Sequence, residues 1–243
     1  MIQPDLTEIP VSRKFCNETR TVESAEPREG APVHITSVKN LEDDYDVEME
    51  FSLTASIGER SSPNDFIHEI TGRILASVED EDPEQCGLLQ AYLIQFDQAE
   101  ACGIDTWDVG DAVCGTVATY WEALFDVEAG AWRPDIQGQY AVTSRNLLIV
   151  EYIEVNPKFR GHKIPAASVE RLTDLFGAGC ALVACIPTPV QFLPAFADDL
   201  PRWQVTNCSE REDLKKLQDY WLQAGFRPYK ETGIYLKKAQ RQD

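Results

Sequence analysis

A chain of 243 residues, 43% of them apolar, can bury a substantial core, yet no segment approaches the roughly 20 consecutive apolar residues of a membrane-spanning helix. Its 41 acidic residues against 22 basic ones give a formal charge of -19, a field that repels nucleic acid and anionic membranes and attracts cations. The seven cysteines are odd in number, lack CxxC spacing and stand apart from His34, His68 and His162, so neither a disulfide framework nor a metal site is expected.

Residues 1–32 mix Pro, Glu, Arg, Ser and Thr without periodicity, which predicts an extended or poorly ordered arm ahead of a single domain over 33–243. The start, MIQPDLTEIPVSRK, has no apolar stretch like that of a signal peptide, and a cytoplasmic protein is the expectation. In YDVEMEFSLTASI, Val47, Met49, Phe51 and Leu53 alternate with polar residues, the period of a half-buried strand. IHEITGRILASV and GLLQAYLIQFD follow as strands, divided by the turn-like EDEDPEQC, and the second of them is apolar on both faces, as an interior strand would be. Across 106–125 the residues Val109, Val113, Val117, Tyr120, Trp121 and Leu124 recur at helical spacing, and their aromatic stripe is expected in the core. EAGAWRPDIQGQY reads as a polar loop leading to the strand NLLIVEYIEV.

The next stretch, NPKFRGHKIPAAS, is a tight turn feeding a helix with Val169, Leu172 and Phe176 on one face and Gly177 at its end. A helix N-terminus of this kind presents unpaired N–H groups and the positive end of the helix dipole, which together suit a phosphate. Lys158, Arg160, His162 and Lys163 make it a small basic island in an acidic chain. ALVACI then reads as a buried strand ended by prolines. Ser209 and Glu212 have the spacing of a capping box before the helix EREDLKKLQDYWLQA, Gly225 stops that helix, and GIYLK is the last strand. Strands first, then alternating strands and helices, predict an α/β (α+β) fold with a mixed sheet flanked by helices.

The order LLIVEYIEVNPKFRG, helix, ALVACIP, helix ending YWLQAGF and final strand resembles the GNAT superfamily of acetyl-CoA-dependent N-acetyltransferases over residues 147–236. In that superfamily a strand ending V-x-P enters an Arg/Gln-x-x-Gly-x-Gly/Ala loop that cradles the CoA pyrophosphate, and Val155, Pro157, Phe159, Arg160 and Gly161 match it. The resemblance implies a central mixed, mostly antiparallel sheet and acetyl-CoA, or another acyl-CoA, as cosubstrate. It also implies a CoA site at Val155, Arg160, Gly161, His162, Lys163, Ile164, Ala166 and Trp221, and an amine as acceptor, attacked onto the thioester directly. Lys163 and Pro165 stand where the loop carries glycine and glycine or alanine, and Trp221 stands where many relatives carry a tyrosine acting as general acid. Glu151 and Glu154 on the strand before the turn are candidates to take the amine proton, and strand alternation predicts that one of them faces the cleft. The acidic balance adds the expectation of a cationic or amine acceptor. The altered loop keeps a second reading open, a catalytically inactive GNAT-like ligand-binding or protein-interaction module.

Overall fold

The computed structural model describes residues 33–39, 45–53, 60–78, 82–112, 115–188 and 210–239. The expected arm at 1–32 and the capping residue Ser209 lie outside them. The fold is mixed α/β. One eight-stranded sheet runs β1 (Val33–Lys39), β2 (Tyr45–Leu53), β3 (Ile67–Val78), β4 (Glu84–Ile94), β7 (Leu147–Val155), β8 (Leu182–Cys185), β10 (Tyr235–Lys238) and β9 (Arg227–Pro228) in spatial order. Every neighbouring pair is antiparallel except β7 with β8. That parallel pair is joined by α5 (Ile164–Phe176), and α6 (Glu210–Gln223) precedes the final strands. β5 (Phe125–Asp126) and β6 (Ala131–Trp132) form a separate two-residue ladder.

Periodicity explains which face each element buries. Met49 and Phe51 of β2 are buried as alternation requires, whereas Leu53 at the strand end is 41% exposed. Interior β4 sends Leu89 and Ala91 to one face and Tyr92 and Ile94 to the other, the mark of a strand covered on both sides. On the first face, Val169 and Leu172 of α5 and Trp221 of α6 pack against Leu148, Val150 and Val183. The opposite face is covered by α1 (Phe96–Ala101), α2 (Thr106–Asp111), α3 (Gly115–Leu124) and α4 (Pro134–Tyr140), through Phe96, Val109, Tyr120, Trp121, Leu124 and Ile136. Phe96, Trp121, Phe125 and Trp132 form a continuous ring cluster there, with Phe125 and Trp132 centroids 4.1 Å apart.

Several sequence expectations need correction. The helix expected over 106–125 is two helices, α2 and α3, with Ala112 ending the first. The supposed polar loop at 128–140 contains α4, which starts with Pro134 in its first turn, a position where the missing N–H costs nothing. Strand β4 begins at Glu84, so the end of EDEDPEQC is already in the ladder, and Phe96 and Asp97 belong to α1 rather than to the strand. Alternation did not reveal β1, whose VHITSVK pairs with β2 across a register shift.

Candidate functional site

The site begins with an irregularity in β7. Against β4, Val150 pairs with Ala91 and Tyr152 with Gln90, so Glu151 is an extra residue, a β-bulge that bends the strand. Burial follows the bulge: Leu148 and Val150 lie in the α5/α6 core, and beyond it Ile153 and Val155 turn to that same core, a change of parity. Pairing with β8 covers Leu147 to Val150 and stops at Cys185, where Ile186 and Pro187 leave the ladder and proline can donate no N–H. Residues 151–155 therefore run on with no strand partner on the β8 side among the described residues. The two parallel strands splay from Val150.

At the end of β7 the chain is held by short local bonds. Asn156 N–H donates to Cys86 O at 2.8 Å, and the Asn156 side chain accepts from Lys158 N–H at 3.0 Å, starting the 3-10 turn Pro157–Phe159. Phe159 is 3% exposed and pins the turn to the core, while Arg160 Nε donates back to Val155 O at 3.2 Å. Gly161, at φ 94°, and Lys163, at φ 56° and ψ 18°, are left-handed, and α5 starts at Ile164. For a lysine that conformation costs roughly 1–2 kcal/mol, so this turn holds Lys163 in a backbone shape that a glycine would adopt freely. Pro165 fits the first helical turn and contributes no N–H. No described protein group accepts from the N–H of Gly161, Lys163 or Ile164.

The opposing wall is α6, whose residues Asp213, Leu217 and Tyr220 recur at helical spacing toward the turn. Gly225, left-handed at φ 91°, ends this helix: its N–H bonds to Leu222 O and the Phe226 N–H to Trp221 O, a Schellman arrangement that locks the last turn and the aromatic residues before it. Tyr220 Oη accepts the N–H of Ala166 at 2.8 Å. Burial pushes the Tyr220 phenol up to about 12, against a smaller lowering by the Ala166 N–H. Trp221 is 5% exposed and stands nearly edge-on to the Tyr220 and Phe226 rings.

Between these walls lies a cavity of about 570 Å³, bounded by β7 from Val150 to Val155, the Phe159–Pro165 turn, the Cys185–Thr188 strand end and α6. Glu151, Glu154, Val155, Arg160, Gly161, Lys163, Ile164 and Trp221 all border it. Both glutamates do so, as does every residue of β7 from Val150 to Val155, because the cavity lies along the strand beyond its pairing with β8. His162 is not in the lining, Ala166 has its N–H bonded to Tyr220, and the island is divided, since Lys158 pairs with Glu84 away from the cavity. Sequence reasoning named Trp221 on this helix and left out Tyr220. Its membership of the Asp213–Leu217–Tyr220 stripe was the available signal.

Burial, with the charges of Glu154, Glu69 and Glu151, pushes the Tyr152 phenol up to about 12 on the carboxylate-rich side. Cys185 at the splay is 3% exposed, and burial raises its thiol pKa, which keeps it protonated and a poor nucleophile. Among the described residues there is no cluster of His, Cys, Asp and Glu that could hold a metal ion, and no helix long and apolar enough to cross a membrane. No protein-family model matches the chain, and no curated protein matches it either.

Proposed function

We propose that the chain is a cytoplasmic acyl-CoA-dependent N-acyltransferase of the GNAT kind, carrying an acetyl or other acyl group to an amine. The observation that carries this reading is the splay of parallel β7 and β8 at a bulge, directly beneath the left-handed turn that opens α5. Such a splay leaves a strand edge to which an extended, amide-bearing arm can hydrogen-bond as an added strand. Beside it, the N–H groups of Gly161, Lys163 and Ile164, with the charges of Arg160 and Lys163, suit a pyrophosphate. The cavity of about 570 Å³ lies within the usual range for sites that take small ligands.

Glu151 and Glu154 serve the acceptor. An amine in that carboxylate-rich region approaches as a cation, gives its proton to a glutamate directly or through water, and attacks with its freed lone pair. The new C–N bond forms at the carbonyl carbon, the C–S bond breaks, and the sulfur leaves with the electron pair and is then protonated. Fixed geometry between the two walls supplies much of the acceleration. A second reading, a module that binds without turnover, draws support from Pro165, from the engaged Ala166 N–H and from Trp221 where relatives carry a phenol. Calorimetric titration of acetyl-CoA, followed by thiol release with a panel of primary amines, separates the two. Binding with amine-dependent thiol release that falls in Glu151→Gln or Glu154→Gln supports the transferase, and binding without release supports the module. Absence of binding removes the transferase and leaves a protein-interaction module.

A further inference from the structure

The first turn of α5 is short of donors for a diphosphate. Pro165 has none, and the Ala166 N–H is directed at Tyr220 Oη, 2.8 Å away on the other helix. A phenol oxygen that accepts one N–H still carries its own proton, and Tyr220 lines the same cavity as Arg160, Gly161 and Lys163. We infer that Tyr220 is part of the anion site itself: its hydroxyl takes the Ala166 N–H and donates its own O–H to the bound phosphate, standing in for one of the two donors that the helix cannot offer. Accepting a hydrogen bond makes an O–H the stronger donor, so the polarity of α5 is relayed through the ring oxygen. The raised phenol pKa keeps the proton in place across physiological pH. Trp221 stands edge-on to the Tyr220 ring and is itself packed against Phe226, and the Schellman turn at Gly225 fixes the end of α6 that carries Tyr220 and Trp221. The inference rests on the CoA reading of this cavity and adds a ligand-contacting residue to it.

Titration of the natural chain and of Tyr220→Phe with CoA and, separately, with inorganic pyrophosphate tests the inference. A relay predicts that Tyr220→Phe weakens both ligands about tenfold, by the same factor at pH 6 and at pH 9, because the phenol keeps its proton over that range. A measurement that needs no variant accompanies it. In a relay the Ala166 amide stays bonded to the phenol, so its hydrogen exchange remains slow and its NMR shift moves little on saturation with pyrophosphate. Unchanged or tighter binding by Tyr220→Phe, or a large Ala166 shift as the ligand displaces the phenol, overturns the relay and makes Tyr220 a plug or a structural cap. Pyrophosphate binding without CoA binding defeats the acyltransferase reading while leaving the Tyr220 result to be read from the pyrophosphate arm. Binding of neither by the natural chain overturns both.

Discussion

Strand β7 is two different objects. From Leu147 to Val150 it is paired on both sides, by β4 and β8, and its side chains are at most 2% exposed. From Glu151 to Val155 its strand partner among the described residues is β4, and it carries two glutamates and borders the cavity. One residue separates the halves, the bulged Glu151. Apolar content and double pairing make the first half a stability element, whereas a bulge and the end of the β8 pairing set the second half, with its two glutamates, at the cavity.

The largest effect is expected in the first half. Leu148→Ala should cost about 3 kcal/mol, since Leu148 is fully buried and its loss leaves a cavity; a denaturant midpoint shift at constant slope measures it. A cost below about 1 kcal/mol would mean that this half is no more critical than a surface strand. Deleting Glu151 should restore regular alternation and turn residues 152–155 to the opposite face. The expected result is CoA affinity lower by about 100-fold, equivalent to about 2.7 kcal/mol, in a protein whose circular dichroism still shows the sheet. Retention of full affinity would break the link between bulge and site.

At the turn that the second half enters, Lys163→Gly with Pro165→Ala relieves the left-handed strain and restores one N–H donor. CoA binding should tighten by about tenfold, or about 1.4 kcal/mol, by calorimetry. The smallest effect is a pH dependence from Tyr152. Its pKa is raised in the folded chain above the ordinary value of 10, so its contribution is fully present below pH 10 and is lost as pH climbs through about 12. Tyr152→Phe should flatten the fall in stability over that alkaline window. An unchanged slope would show that neither burial nor the neighbouring carboxylates raise the phenol in the folded chain.

The elements legible in the sequence were those where local pattern and tertiary role agree. IHEITGRILASV is β3 residue for residue, and the strand and helix around NPKFRGHKIPAAS lie within one residue of expectation, because alternation, a 3.6-residue stripe and glycine stops are set by the chain's own geometry. The elements that escaped reading are short or borrowed: α1 and α4 have 6 and 7 residues, too few to show a period, and they are stable through the aromatic cluster that they cover.

For the site, the division has the same cause. The sequence by itself determined the turn, the arginine, glycine and lysine at its edge, and the helix start that follows, since each depends on neighbours within a few residues. Only the tertiary structure decided that Glu151 sits in a bulge, that both glutamates border one cavity, and that Tyr220 reaches across 54 positions to the N–H of Ala166. A bulge exists only relative to a partner strand, and a phenol's reach depends on where the packing of α6 against the sheet places its ring.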